Sequence, residues 1–231
     1  MRENIYTIPV KDVFDIKNGC PLCRMRDTIE NRILDYIMGP AMMEPDIRGQ
    51  TNQQGFCPTH FKMMVGRRGR LSLALILESH LDEIINSMEG KKGLLAPSAS
   101  KQAEHMGKII DGCFVCQKIE WGFGRMIDTI CMLYETQADF RDLFNGQPGF
   151  CLPHYQMLLA GCSKKVMKQK YKDFQDNLTR ITDEYLKQLK SDVKHFTSMY
   201  DYRNNTEGAD WGNSRDSIER AIEFLTSRRP D

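Results

Sequence analysis

Three thiols and one imidazole make a complete tetrahedral set for zinc, and this chain carries such a set twice. Gly19-Cys20-Pro21-Leu22-Cys23 precedes Gly55-Phe56-Cys57-Pro58-Thr59-His60, with 33 residues between Cys23 and Cys57. Gly112-Cys113-Phe114-Val115-Cys116 precedes Gly149-Phe150-Cys151-Leu152-Pro153-His154, with 34 residues between Cys116 and Cys151. A Cys-x-x-Cys turn can present two sulfurs to one ion, and a Cys-x-x-His at a helix start adds a thiolate and an imidazole from adjacent turns. The helix N-terminus favours the thiolate charge. Three thiolates on a divalent ion leave a net negative centre, which Arg24 and Arg26, or Lys118, stand close enough in sequence to offset. With four protein ligands such a centre is closed, which argues for structure rather than catalysis.

The expected metal ligands are therefore Cys20, Cys23, Cys57 and His60, with Cys113, Cys116, Cys151 and His154, holding two zinc ions. Ligation within each copy is the simpler assignment, because each copy has a full set; exchange of ligands between copies is the alternative. The same donors could instead hold iron–sulfur clusters. A thioredoxin-type redox pair would sit beside a βαβ pattern, and the sequence shows none. Cys131 and Cys162 fall outside the repeat and read as ordinary buried thiols.

The elements that must position these ligands are duplicated with them. Nine residues after the second Cys stands Arg32 or Arg125, and twelve residues after it stands Asp35 or Asp128. Asp46-Ile47-Arg48 matches Asp139-Phe140-Arg141. So many equal offsets indicate an internal duplication. Apolar residues at helical spacing follow each Cys-x-x-Cys: Ile29, Ile33 and Ile37, then Ile119, Phe123 and Ile127. Loops are expected over residues 49–55 and 145–149, and a short helix from each Cys-x-x-His to Gly66 or Gly161. A helix over 68–88 would bury Leu71, Leu75, Leu81, Ile85 and Met88. A much longer helix over 163–200 carries Met167, Tyr171, Phe174, Leu178, Ile181 and Tyr185 at alternating spacings of four and three, the seam of a coiled coil or of an antiparallel partner. That helix is a possible homodimer contact. Residues 89–102 read as a linker. Ser214 is a candidate cap for a last helix with Ile218, Ile222 and Leu225 on its apolar face. Residues 5–10 read as extended or turn-like, with Pro9 opening a short helix. No alternating run supports a sheet. The expected fold is all-α, divided as a first metal-binding repeat over 1–90, a second with the long helix over 103–200, and a linker with an amphipathic helix over 201–231.

Other residues could carry chemistry. Arg48 and Arg141 hold matched places and could bind an anion in a groove between the repeats, or bond carboxylates and carbonyls locally. Glu78 and His80 have no match in the second copy and complete the candidate ligand groove. Basic clusters such as Arg67, Arg68 and Arg70 read as solvated helix faces. The 14 methionines read as core filling. No phosphate loop, dinucleotide fingerprint or nucleophile elbow is present.

Composition narrows the classes. With 231 residues, 27% charged and 41% apolar, the chain can bury a core without crosslinks. A net charge of +1 gives no reason to expect a nucleic-acid partner. The longest apolar run, residues 71–77, is too short for a bilayer, and the first ten residues lack a secretory pattern. These features place the protein in the cytoplasm, where Cys-x-x-Cys pairs read as metal or redox sites.

Ile5-Tyr6-Thr7-Ile8-Pro9-Val10, Cys20-Pro21-Leu22-Cys23, Met43-Glu44-Pro45-Asp46-Ile47-Arg48, Gly55-Phe56-Cys57 with His60, and Leu73-Ala74-Leu75 through His80-Leu81 resemble an uncharacterised family of anaerobic Gram-positive bacteria. The resemblance covers most of the chain and implies a cytosolic bacterial protein without implying an activity. The residues themselves point to a zinc-binding helical module that binds an unknown protein or small molecule. An iron–sulfur electron-transfer or redox-sensing protein is the alternative. An enzyme using the groove of Arg48, Arg141 and His80 is a weaker reading than either.

Overall fold

The computed structural model describes residues 7–89, 98–163, 166–204 and 208–230. Among them the chain forms helices and no strand. In order these are α1 (Thr7–Asp15), α2 (Pro21–Met38), a 3₁₀ turn (Pro40–Met43), α3 (Pro45–Gln54), α4 (Pro58–Val65), α5 (Arg70–Glu89), α6 (Ala99–Asp111), α7 (Phe114–Thr136), α8 (Ala138–Asn145), α9 (Leu152–Gly161), α10 (Tyr171–Ser198), a 3₁₀ turn (Gly212–Ser214) and α11 (Ser217–Thr226). Pro21, Pro45, Pro58 and Pro153 occupy first turns, where a missing N–H is harmless and the fixed φ suits a helix. Ser98 starts α6 by accepting the Lys101 main-chain N–H.

The described residues of Met1–Asp27 and Phe123–Asp231 form one compact unit, and those of Thr28–Gly122 form the other. Neither unit coincides with a sequence repeat. Both α2 and α7 begin in one unit and end in the other, so each unit takes the start of one Cys-x-x-Cys helix and the remainder of its counterpart. In the Thr28–Gly122 unit the core is Leu34, Ile37, Phe56, Met64, Leu73, Ile76, Phe114 and Val115. In the other unit an aromatic core dominates: Phe144 lies with ring centroids 5.0–5.8 Å from Phe14, Tyr134, Phe150 and Phe174. Stacked, edge-on and tilted contacts of this kind add to the burial of large rings. There α10 packs on α8, α9 and α11 and buries Phe174, Leu178 and Ile181. The apolar seam of the long helix is thus covered within its own unit.

Several elements differ from the sequence expectation. Residues 49–54 are helical rather than a loop: α3 packs on α5, buries Thr51, and the packing overrides the helix cost of Gly49. The expected linker of residues 89–102 gives way to α6 from Ala99; its middle lies outside the described residues. In α5 the buried face is Leu73, Ile76 and His80, while Leu71, Leu81, Ile85 and Met88 are all half exposed or more. The all-round apolar stretch 71–77 left the face undetermined, and the packing of α3 on α5 selects it. The long helix begins at Tyr171, not at residue 163, because the Glu135 carboxylate accepts the N–H groups of Gln169 and Lys170 just ahead of it. In α11 the side turned inward is Ser217 and Phe224, with Phe224 against Tyr185, and Ile218, Ile222 and Leu225 face solvent. Ser214 sits in the preceding 3₁₀ turn. A helix already starts at Thr7, where extended or turn-like chain is expected; Ile5 and Tyr6 lie outside the described residues.

Candidate metal centres

Four helix starts supply the ligands. Cys20 and Cys23 lie at the start of α2, Cys57 and His60 at α4, Cys113 and Cys116 at α7, and Cys151 and His154 at α9. The glycine before each Phe-Cys pair serves a different end. Gly55 has φ +59°, and a Cβ there would come within 3.2 Å of His80 Nε2. Gly149 leaves room for the Tyr185 ring, which lies 2.6 Å from where its Cβ would stand.

The ligands gather as Cys20, Cys23, Cys151 and His154 in one centre and Cys57, His60, Cys113 and Cys116 in the other, all donor atoms of each set lying within 4.8 Å of one another. Each set belongs to a single compact unit. This corrects the simpler assignment of ligation within each repeat: the Cys-x-x-Cys of one repeat joins the Cys-x-x-His of the other. The reason lies in helix lengths. The 18 residues of α2 carry the chain about 27 Å from its Cys-x-x-Cys. The 10 residues of α3 span only about 15 Å, too little to bring Cys57 back. The 23 residues of α7 and the eight of α8 repeat the disparity.

In the first centre His154 Nδ1 lies 3.0 Å from Cys151 Sγ, 3.4 Å from Cys23 Sγ and 3.6 Å from Cys20 Sγ, with Cys23 and Cys151 3.6 Å apart. In the second, His60 Nδ1 lies 3.1, 3.2 and 3.5 Å from Cys57, Cys113 and Cys116, with Cys57 and Cys116 3.9 Å apart. Burial opposes charge on the Cys113 thiol, but the His60 hydrogen bond and main-chain N–H groups bring it down to about 6. Burial likewise works against charge on His60, and its bonds to Cys113 and Glu30 override that, raising it to about 10. Cys116 is pushed up to about 12 by burial and by Cys113. Cys20 is held well below its ordinary range despite burial, by Cys151, Cys23 and His154. In each centre one thiol, Cys20 or Cys113, is thus favoured as the thiolate while its neighbours Cys23 and Cys151, or Cys116, are held toward the protonated form, so binding a cation releases protons.

The surroundings reinforce the ligands. Arg24 donates to the carbonyls of Val13, Ile16 and Gly19, at 2.9, 2.6 and 3.2 Å, and to that of Asn18, clamping the turn before Cys20. Arg26 bonds Ser227, whose carbonyl lies 3.7 Å from Cys23 Sγ, so the end of α11 borders the first centre. Lys118 lies over the Phe114 ring, 5.1 Å from its centroid, and bonds Gln50. A recess of about 560 Å³ opens beside the first centre, lined by Cys20, Cys23, Cys151, Arg24, Tyr185 and Arg220 among others.

Glu30 is a site residue that the motif search misses. His60 Nε2 donates to its carboxylate at 2.9 Å, and both side chains are 2% exposed. The signal was a lone glutamate on the α2 face that also carries Leu34 and Ile37, both buried. Of the groove residues, Arg48 donates to the Leu75 carbonyl at 2.9 Å, and Arg141 to that of Tyr134 at 2.9 Å. His80 is buried and donates from Nδ1 to the Asn52 carbonyl at 2.7 Å, while Glu78 is exposed. Arg48, Glu78 and His80 belong to one unit and Arg141 to the other. Cys131 and Cys162 are not free thiols: helices α7 and α9 bring their Cα atoms to 5.6 Å and they form a disulfide, closing a loop that contains Cys151 and His154.

No curated protein and no solved structure matches the chain. A family model does match, over residues 1–231, and the chain therefore belongs to the family described as "Family of unknown function (DUF6062)".

Proposed function

We propose that the protein is a binding or scaffold module whose two helical units are each held by one structural zinc ion. The observation that carries this reading is the donor spacing. A single tetrahedral ion with ligand bonds of about 2.0–2.3 Å sets donor–donor edges of about 3.3–3.8 Å. Eight of the twelve edges in the two centres run from 3.0 to 3.9 Å, and all lie within 4.8 Å. An iron–sulfur cluster interposes several iron and sulfide atoms between its ligands and needs them further apart. The spacing therefore supports one ion per centre, and three thiolates with one imidazole favour zinc among the common divalent ions. Four protein ligands leave no position for a substrate, which supports a structural role.

A binding role accords with the recess beside the first centre, whose size suits a small molecule. Arg48, Arg141 and His80 bond main-chain carbonyls, which favours a structural role for these three side chains over the expected ligand groove. Among the described residues no helix is long and apolar enough to cross a membrane. Six ligand thiolates suit a reducing compartment such as the cytoplasm, whereas the Cys131–Cys162 disulfide suits an oxidising one.

Metal analysis with an absorption spectrum, on protein purified without added metal, tests the reading. The expected result is about two zinc per chain, one for each centre, and no visible absorption. Brown protein carrying iron and acid-labile sulfide would replace it with an electron-transfer or redox-sensing function.

A further inference from the structure

The two centres share their ligand types but not their surroundings. The residue seven places after the second Cys faces the histidine of its own repeat in both cases. In the first repeat it is Glu30, whose carboxylate accepts the His60 Nε2–H at 2.9 Å. In the second it is Phe123, whose ring lies nearly parallel to His154, with centroids 5.5 Å apart and planes at 14°. A buried carboxylate on the far nitrogen fixes the tautomer, aims Nδ1 at the sulfurs and makes the imidazole a stronger donor. A stacked phenyl ring holds the histidine by packing and offers it no acceptor.

Exposure differs in the same pair. Cys20, Cys23 and Cys151 are 8, 5 and 4% exposed. In the other centre Cys116 is exposed and Cys57 partly so. A closed four-ligand ion exchanges when an incoming donor attacks the metal and displaces a thiolate. At Cys116 that attack needs no opening of the fold. At the first centre it must pass sulfurs that remain almost fully covered, even on the floor of the recess.

We propose that the centre of Cys57, His60, Cys113 and Cys116 is an exchangeable site for a thiophilic divalent cation such as zinc, and that the centre of Cys20, Cys23, Cys151 and His154 is the fixed one. Glu30 is the positioning residue of the exchangeable site: it secures the histidine while the exposed thiolate gives the route in and out. This combination holds an ion tightly yet releases it to a competing ligand. The inference rests on the metal reading above.

The test uses full-length zinc-loaded protein, with two equivalents confirmed first, challenged with the chromogenic chelator pyridylazoresorcinol. Zinc is expected to leave in two phases of equal size. Cys116→Ser should abolish the fast phase and keep the slow one. Glu30→Gln should keep helix content and the slow phase, and weaken retention in the fast phase by about 10- to 100-fold. Phe123→Leu should affect only the slow phase. A single phase, or Glu30→Gln acting on the slow phase, overturns the inference while leaving two zinc per chain in place. Protein that binds no zinc overturns the metal reading and this inference with it.

Discussion

At the scale of residues, the eight ligands carry a distinction that ordinary stability measurements would blur. Removing Cys57 destroys one centre whichever way the ligands pair, but the thiols set free differ. With the observed grouping, Cys57→Ser should expose Cys113 and Cys116 to alkylation and leave Cys20 and Cys23 protected. Ligation within repeats requires the reverse. Iodoacetamide labelling of the native variant, read by peptide mass spectrometry, separates the two, and reactive Cys20 and Cys23 beside protected Cys113 and Cys116 would refute the exchanged pairing. That these eight side chains gather into clusters able to hold a metal was legible because thiols and imidazoles at these spacings have few other uses. Their pairing was not, since each repeat has a complete set and nothing local says which partner is near. Glu30 was legible only in hindsight: a buried glutamate on an apolar stripe needs a partner, but one sequence does not say that the partner is His60.

At the scale of elements, helix starts were easier to read than helix faces. Proline and Cys-x-x-His mark the beginnings of α4 and α9 unambiguously. The inward side of α5 was not determined locally, because leucine and isoleucine surround the helix over residues 71–77. Tertiary contacts decided it: Ile76 is 1% exposed and belongs to the core, whereas Ile85 is 50% exposed. Truncation should follow that division. Ile76→Ala is expected to cost about 2–5 kcal/mol, the transfer and cavity terms of a buried isoleucine. Ile85→Ala should stay within about 0.5 kcal/mol. Urea denaturation of metal-loaded protein measures both, and a larger loss at Ile85 would mean that the expected stripe, not the observed one, faces the core. The start of α10 was hidden for a different reason. Its cap comes from Glu135, on another helix, and no sequence window contains both.

At the scale of the whole molecule, the grouping of the candidate ligands follows the compact units and not the sequence repeats. Each compact unit joins the Cys-x-x-Cys of one repeat to the Cys-x-x-His of the other, and α2 and α7 each run from one unit into the other. A cut in the sequence between the repeats, in residues 90–97, therefore divides both units at once. The half ending there holds Cys20 and Cys23 without Cys151 and His154, and Cys57 and His60 without Cys113 and Cys116. As the ligands are grouped in the fold, such a half completes neither centre, and structural zinc contributes roughly 10 kcal/mol or more to small metal-held folds. Either half alone should thus be poorly folded and bind zinc weakly. Mixed together, the halves regain both full sets, and the complex should take up two zinc ions with a cooperative gain in helicity. Titration of zinc into each half and into the equimolar mixture, followed by circular dichroism and by mass spectrometry under native conditions, gives the answer. Were each half instead to bind one zinc tightly and fold alone, the duplication would consist of two self-contained modules, and the interleaved architecture would be wrong.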